Sequence, residues 1–250
     1  MKIIRYLKNH LISHGILDGE QVLPIADFRH PKKGNGGPLP LSEVRLLAPC
    51  APTKIVCAGL NYKDHAEEMG FAIPDEPVIF LKPPSAILEP GGTIPYPMLT
   101  HRLEYEAELA VVIGRTAKGV REETALEYVL GYTCINDVTA RDLQKKDGQW
   151  TRAKSFDGFA PFGPWIETEV EPHDLLVEAY LNGERKQSSS TANMIFPVAH
   201  LVSFISQVMT LNVGDVIATG TPPGIGRMER GDQIEVRISG IGSLINTIEN

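Results

Sequence analysis

Short apolar runs bounded by Gly, Pro or Asp recur along the chain and predict strands. In the first fifty residues, "MKIIRYL" (1–7) and "QVLPIADF" (21–28) read as strands around a turn. The same signature marks "KIVCAG" (54–59), "PVIFLK" (77–82), "EAELAVVIG" (106–114) and "YVLGYTCIND" (128–137). It returns in "LLVEAYLNG" (175–183), "DVIATG" (215–220) and "QIEVRIS" (233–239). Helical spacing is scarcer. "YKDHAEEMG" (62–70) is a short helical pattern ended by Gly70, and "VTARDLQKK" (138–146) is another. "FPVAHLVSFISQVM" (196–209) carries apolar residues at helical spacing, with Pro197 near its start, where proline is tolerated. Many strands with occasional helices predict a β-rich α+β fold rather than regular βαβ alternation. "RHPKKGNGGPLPLSE" (29–43) is dense in Pro, Gly and charge and reads as a loop or seam. It divides a small N-terminal β domain, residues 1–49, from a main domain, residues 50–250.

Composition narrows the classes. With 250 residues, 42% hydrophobic and 22% charged, the chain can bury a sizeable core. Its formal charge of −7 argues against nucleic-acid binding and against attraction to anionic membranes. Apolar runs such as "LAVVI" are too short to span a bilayer. "MKIIRYLKNHLISHG" breaks its apolar residues with charge and so lacks the h-region of a signal peptide. Cys50, Cys57 and Cys134 are odd in number and show no CxxC spacing, which suits reduced thiols in a cytoplasmic protein.

The stretch "RLEYEAELAVVIG" (102–114) raises the first chemical question. Read as one strand, it places Glu104, Glu106 and Glu108 on one face, about 6.5–7 Å apart. One reading is a solvated face paired with lysines across the sheet. Against it, Leu103, Tyr105, Ala107, Leu109 and Val111 form an apolar opposite face, and the carboxylate face itself continues as Ala110 and Val112. Unpaired carboxylates at the end of a buried strand are costly. A divalent cation would resolve the repulsion, and an all-oxygen set suits Mg²⁺, Mn²⁺ or Ca²⁺ rather than zinc or copper. Asp137 closes another apolar strand and reads either as a further ligand or as the N-cap of the helix that follows.

Other residues have two readings as well. His65 and Glu68, three apart on a helical pattern, share a face. They are either a carboxylate-held general base or ordinary surface charges, and Gly59 and Gly70 would let the segment move as a lid. Lys154, between Trp150 and Phe156, either snorkels or is a fixed cation facing an anion or a developing enolate. "ATGTPPGIG" (218–226) offers backbone N–H groups and Thr221 to an anion, or is a turn without a ligand; it lacks the ending of a P-loop.

Taken in order, "GLNYKDHAEE", "VIFLKPPSAI", "EYEAELAVVIG", "NDVTARDLQ", "WTRAKSFDGFAPFGPW", "LNGERKQSSST" and "IATGTPPGIG" resemble the fumarylacetoacetate hydrolase family, in particular its short acylpyruvase-like members. The resemblance runs from about Lys54 to the C-terminus. It implies a mixed β-roll with a small N-terminal domain, commonly as a homodimer. It implies Glu106, Glu108 and Asp137 as ligands of Mg²⁺ or Mn²⁺, leaving Glu104 unassigned. His65 and Glu68 match the dyad that activates water, and Lys154 the lysine facing the substrate. Arg141, Gln144 and Thr221 match substrate-binding positions. The implied activity is metal-dependent C–C hydrolysis of acylpyruvate-like 2-oxo acids or 1,3-dicarbonyls through a metal-stabilised enolate. Two alternatives stand beside it in the same site. One is a decarboxylase of oxaloacetate or of 5-oxopent-3-ene-1,2,5-tricarboxylate, and the other an isomerase of 2-hydroxyhepta-2,4-diene-1,7-dioate; both would serve aromatic-acid catabolism. A non-catalytic ligand-binding homologue is the alternative of another class.

Overall fold

The computed structural model describes residues 1–29, 31, 34 and 36–250. The N-terminal strands are β1 (Lys2–Lys8), β2 (Leu11–Asp18), β3 (Gln21–Ile25), β4 (Leu39–Pro40) and β5 (Arg45–Leu47). Next come β6 (Ile55–Gly59), helix α1 (Lys63–Met69), β7 (Val78–Lys82), β8 (Ile87–Leu88), β9 (Thr93–Ile94) and β10 (Leu103–Tyr105). The middle holds β11 (Ala107–Ile113), β12 (Val129–Asn136), β13 (Thr139–Ala140), α2 (Arg141–Asp147), α3 (Thr151–Lys154) and β14 (Ala160–Glu167). The remainder is β15 (Leu176–Leu181), β16 (Glu184–Ser190), α4 (Val198–Val208), β17 (Val216–Ala218), β18 (Gly226–Met228), β19 (Gln233–Ile238) and β20 (Gly242–Ile248). Strand outweighs helix, 42% to 18%, so the fold is the β-rich α+β type expected.

Twelve strands form one sheet whose main path is β4-β3-β2-β1-β14-β12-β11-β17-β6-β7. A five-stranded sheet, β16-β15-β19-β20-β9, covers one face, and a three-stranded sheet, β13-β10-β18, closes one end. β11 is buried along its whole length, and its alternation divides it between two cores. Leu109, Val111 and Ile113 pack with Val177, Ala179, Val236 and Leu244 of the five-stranded sheet. Ala110 and Val112 face the other way, against Ile55, Cys57, Ile135 and Val216.

The N-terminal strands extend this same sheet. β1 pairs with β14 through Lys2↔Glu167 and Ile3↔Ile166, and Ile3 and Ile25 enter the core that holds Ala110. β2 is an added element, a hairpin partner that fills what reads as a turn in the sequence. Gly15 sits in it because a Cβ there would stand 2.5 Å from Val22 Cγ1. The expected loop at 29–43 contains β4 and a short 3-10 turn at Leu41–Glu43; residues 30, 32, 33 and 35 of that stretch lie outside the described residues. Asp215, fully buried, fastens the following segment by accepting from the Thr53 amide (2.9 Å) and hydroxyl (2.7 Å), the Asn212 amide (2.7 Å) and the Lys54 ammonium.

All three cysteines are buried and free. Among the described residues no helix is long and apolar enough to cross a membrane.

Candidate active site

The carboxylate stretch is two strands and not one. β10 belongs to the small sheet and β11 to the large one, and the chain changes sheet at Glu106. The reason is local. Side chains take the backbone donors there: the Glu106 amide donates to Asn136 Oδ1 at 2.9 Å and the Ala107 amide to Gln187 Oε1 at 3.0 Å. The Asp137 amide in turn donates to the Glu106 carbonyl at 2.9 Å, which brings the ends of β11 and β12 together. Glu104 therefore leaves the face that it shares in the sequence with Glu106 and Glu108.

Asp137 does not cap α2. Thr139–Ala140 pairs with β10 and intervenes, so the N-cap position falls on Ala140. Asp137 joins Glu106 and Glu108 instead: one carboxylate oxygen from each lies within 4.8 Å of the others, and all three residues are buried. At an effective dielectric of about 20, each pair at that spacing repels by on the order of 3 kcal/mol.

Most of that charge is compensated by an alternating chain of ions. Arg102 pairs with Glu104, and Glu104 also accepts from Arg141 Nε at 2.6 Å. Nη2 of the same guanidinium holds Glu106. Lys154 Nζ joins Glu106 (2.9 Å) to Asp137 (2.5 Å), and Lys82 Nζ takes the remaining Asp137 oxygen. Burial opposes the ionised Glu106, yet Lys154 and Arg141 hold its carboxyl well below the usual carboxylate range. Burial likewise opposes the Lys154 ammonium, and Asp137 and Glu106 outweigh it, raising its pKa.

Glu108 stands outside this chain. It is 1% exposed, and among the described residues its one hydrogen-bond donor is the Gly220 amide at 2.8 Å. Burial, followed by Asp137 and Glu106, pushes its carboxyl well above the ordinary value. A buried carboxylate beside two others, with no cation of its own, is the donor arrangement that a hard divalent ion completes. The oxygen set fits Mg²⁺, Mn²⁺ or Ca²⁺.

These groups line a cavity of about 540 Å³, together with His65, Glu68, Gln144 and Thr221. The structure thus gathers every residue singled out in the sequence around one space. Their donors are unequally free. Lys154 has three N–H groups and spends two on carboxylates, leaving one for a ligand. Arg141 is engaged with Glu104, Glu106 and Gln144, so it organises the carboxylates. The Thr221 hydroxyl donates to the Ala107 carbonyl and accepts from Gln187, both at 2.9 Å. Its proton is therefore not directed into the cavity.

His65 Nδ1 lies 3.0 Å from Glu68 Oε2, which leaves Nε2 without a partner among the described residues. That is the arrangement of an oriented base. The supporting helix is fastened: Asp64 accepts from Ser189 and Asn193, and Glu68 accepts from the Gly224 amide at 3.1 Å. Gly70, at φ +66°, ends the helix. Gly59 has a different reason from the hinge expected of it: a Cβ there would sit 2.7 Å from the Trp150 ring.

Sequence reasoning missed Lys82 and Gln187. Lys82 shares a strand face with Phe80 of the cavity wall and is fully buried, although a lysine ending a strand ordinarily reaches solvent. Gln187 lies in a polar stretch, "QSSS", and nothing in its spacing marks it as the side chain that holds Ala107 and Thr221.

Residues 54–249 match the family model "Fumarylacetoacetate (FAA) hydrolase C-terminal", and residues 1–49 match "Rv2993c-like, N-terminal". A solved 2-hydroxyhepta-2,4-diene-1,7-dioate isomerase from Mycobacterium marinum superposes with a TM-score of 0.93 at 43% identity, covering 100% of this chain and 98% of that one. Fumarylpyruvate hydrolase from Pseudomonas aeruginosa, solved with Mn²⁺ and pyruvate, gives a TM-score of 0.75 at 34% identity, covering 82% and 91%. The mitochondrial oxaloacetate tautomerase Fahd2a of Rattus norvegicus is 39% identical over 222 residues, 84% of this chain and 71% of the rat protein.

Proposed function

The chain belongs to the fumarylacetoacetate hydrolase family and is an enzyme of that family; on that premise we propose that it is a divalent-metal-dependent hydrolase that cleaves a C–C bond of acylpyruvate-like 2-oxo acids. The observation that carries the metal is Glu108, buried beside Glu106 and Asp137 without a cation of its own. The pair that carries hydrolysis is His65 and Glu68, with Nε2 left free at the same cavity.

Glu106, Glu108 and Asp137 would hold the cation, which when bound supplies Lewis-acid polarisation of a 2-oxo acid's oxygens. The protein supplies the rest. The last N–H of Lys154 donates to an oxygen on which negative charge develops. Glu68 fixes the tautomer of His65, whose Nε2 then takes a proton from water that attacks the remote carbonyl. The same imidazolium returns the proton to carbon after the bond has broken. Phe80, Trp150, Met69, Phe71 and Ile225 supply the apolar part of the cavity wall.

A second reading is keto–enol or double-bond isomerisation, in which His65 moves a proton between carbon and oxygen or between two carbon atoms and no C–C bond is cleaved. What favours it is the 43% identity over the whole chain to the mycobacterial isomerase, together with the rat tautomerase. Acetylpyruvate, fumarylpyruvate, oxaloacetate and 2-hydroxyhepta-2,4-diene-1,7-dioate, each assayed with Mn²⁺ and with EDTA, separate the two. Pyruvate release from the first two supports hydrolysis. Spectral interconversion of the last two without pyruvate release supports isomerisation. Turnover that survives EDTA removes the metal from either account.

A further inference from the structure

Lys82 has no part in the reaction as written. It stands at the end of β7, fully buried, and spends its ammonium on one oxygen of Asp137 and on the Val138 carbonyl at 3.0 Å. Lys154 holds the other Asp137 oxygen at 2.5 Å, so orientation of this carboxylate does not depend on Lys82 alone. A full positive charge buried against a metal-ligand candidate competes with a cation for the same carboxylate. Such a residue has to serve something other than metal affinity.

Counting the buried ions shows what that is. Glu104, Glu106, Glu108 and Asp137 bring up to four negative charges, and Lys82, Lys154, Arg141 and the half-exposed Arg102 bring four positive ones. Lys82 and Lys154 are the fully buried cations among them, so their charges are screened least. Without Lys82 the cluster is one unit more negative, with or without a divalent ion. Lys82 therefore makes the loaded centre more cationic toward an anionic ligand and offsets the mutual repulsion of the buried carboxylates before a cation enters.

We propose that Lys82 is a positioning residue of this kind, a built-in counter-ion of Asp137. It holds the carboxylate cluster together before a cation enters, weakens the hold on that cation, and leaves the loaded site with the positive charge that draws in a 2-oxo carboxylate. The inference rests on the reading of Glu106, Glu108 and Asp137 as metal ligands.

The test uses the whole chain with Mn²⁺ and oxalate as probes, both followed by calorimetry, together with thermal melts. Lys82→Met removes the charge at similar length, and Lys82→Gln removes it while keeping a donor toward Asp137. Both variants should melt lower than the parent without metal and recover more of their melting temperature on adding Mn²⁺. Both should bind Mn²⁺ at least tenfold more tightly and bind oxalate to the Mn²⁺ form at least tenfold more weakly, well inside the limit set by one charge a few ångströms away in a medium of effective dielectric near 20. A purely structural lysine gives weaker Mn²⁺ binding in the variants, or unchanged oxalate binding, and either result overturns the proposal. Failure of both variants to fold even with Mn²⁺ overturns it too, because the cation should replace the missing charge. If the parent chain itself does not bind Mn²⁺, the metal reading falls first and this one with it.

Discussion

Glu104 and Glu106, two residues apart, meet neighbouring nitrogens of one guanidinium: Arg141 Nε donates to the first at 2.6 Å and Nη2 to the second. The pair is alike in the sequence and unlike in place. Glu106 lies among the candidate ligands, whereas Glu104 reaches them only through Arg141.

That difference sets the first expectation. Glu106→Gln and Glu108→Gln should each lower Mn²⁺ affinity by more than about 100-fold, because each removes an anionic ligand. Glu104→Gln should cost about tenfold, the range seen when a partner of a ligand is lost. Calorimetric titration with Mn²⁺ reads both. Equal losses in the three variants would show that Glu104 binds the ion directly.

The dyad separates from the metal in the same way. His65→Ala removes the base and should lower kcat by about 10²–10⁴-fold. Mn²⁺ affinity should stay within about twofold, since His65 touches none of the three carboxylates. Glu68→Gln keeps a hydrogen-bond acceptor for Nδ1 and should fall between parent and His65→Ala. Steady-state kinetics on whichever of the four compounds is turned over, with Mn²⁺ titrations in parallel, give the comparison. A His65→Ala enzyme that retains full turnover would remove the histidine from the mechanism.

Much of this site was legible before the structure. The alternation of β11 named its two faces correctly, since Leu109 and Val111 go to one core and Ala110 and Val112 to the other. What alternation could not reveal is the break at Glu106, which depends on Asn136 and Gln187, 30 and 80 residues away in sequence. Asp137 reads as a cap or a ligand in the sequence because β13, only two residues long, is invisible as a pattern yet moves the helix start to Arg141. Helix α3, four residues carrying Lys154, is likewise too short to show periodicity. Lys82 was missed because its burial comes from tertiary packing against Asp137 and Val138. The resemblance to a family supplied the ligand set, whereas the geometry shows that Glu108, among the described residues, has the Gly220 amide and no cation as its partner.

Asp215 offers a prediction about stability and not catalysis. Burial works against its charge, but hydrogen bonds from Lys54, Thr53 and the Asn212 amide hold its carboxyl below the usual range. Its folded pKa is depressed, so its contribution is present above the unfolded value, near 3.9, and is lost as pH falls through the lower folded value. Asp215→Ala strands several donors and should cost about 2–3 kcal/mol at pH 7. At this chain length that is a fall in Tm of roughly 5–10 °C. Melts of both proteins from pH 7 downward should show the gap narrowing below about pH 4. A gap that stays constant through that range would mean that packing, and not the charge, is what Asp215 supplies.

The wall of the cavity can be moved without touching its ions. A Cβ at position 59 would stand 2.7 Å from Trp150 Cζ3 and 2.9 Å from Cη2, closer than real contacts allow. Gly59 ends β6 in the large sheet, so its backbone has little freedom to retreat. The indole, carried on the turn between α2 and α3 and edge-on to Phe80 at 5.2 Å, is the part that must give. Gly59→Ala should therefore shift Trp150 and alter the lining of the cavity while leaving Glu106, Glu108 and Asp137 in place. The expected result is a rise in KM of about 10-fold, equivalent to about 1.4 kcal/mol of lost substrate contact, with Mn²⁺ affinity held within about twofold. Tryptophan emission provides a second reading. The chain has two tryptophans, and Trp165, whose indole donates to the Ile241 carbonyl at 2.8 Å, serves as the fixed reference. A change in emission on ligand binding that is present in the parent and lost in Gly59→Ala would tie Trp150 to the bound substrate, whereas identical responses in the two proteins would place the substrate elsewhere in the cavity.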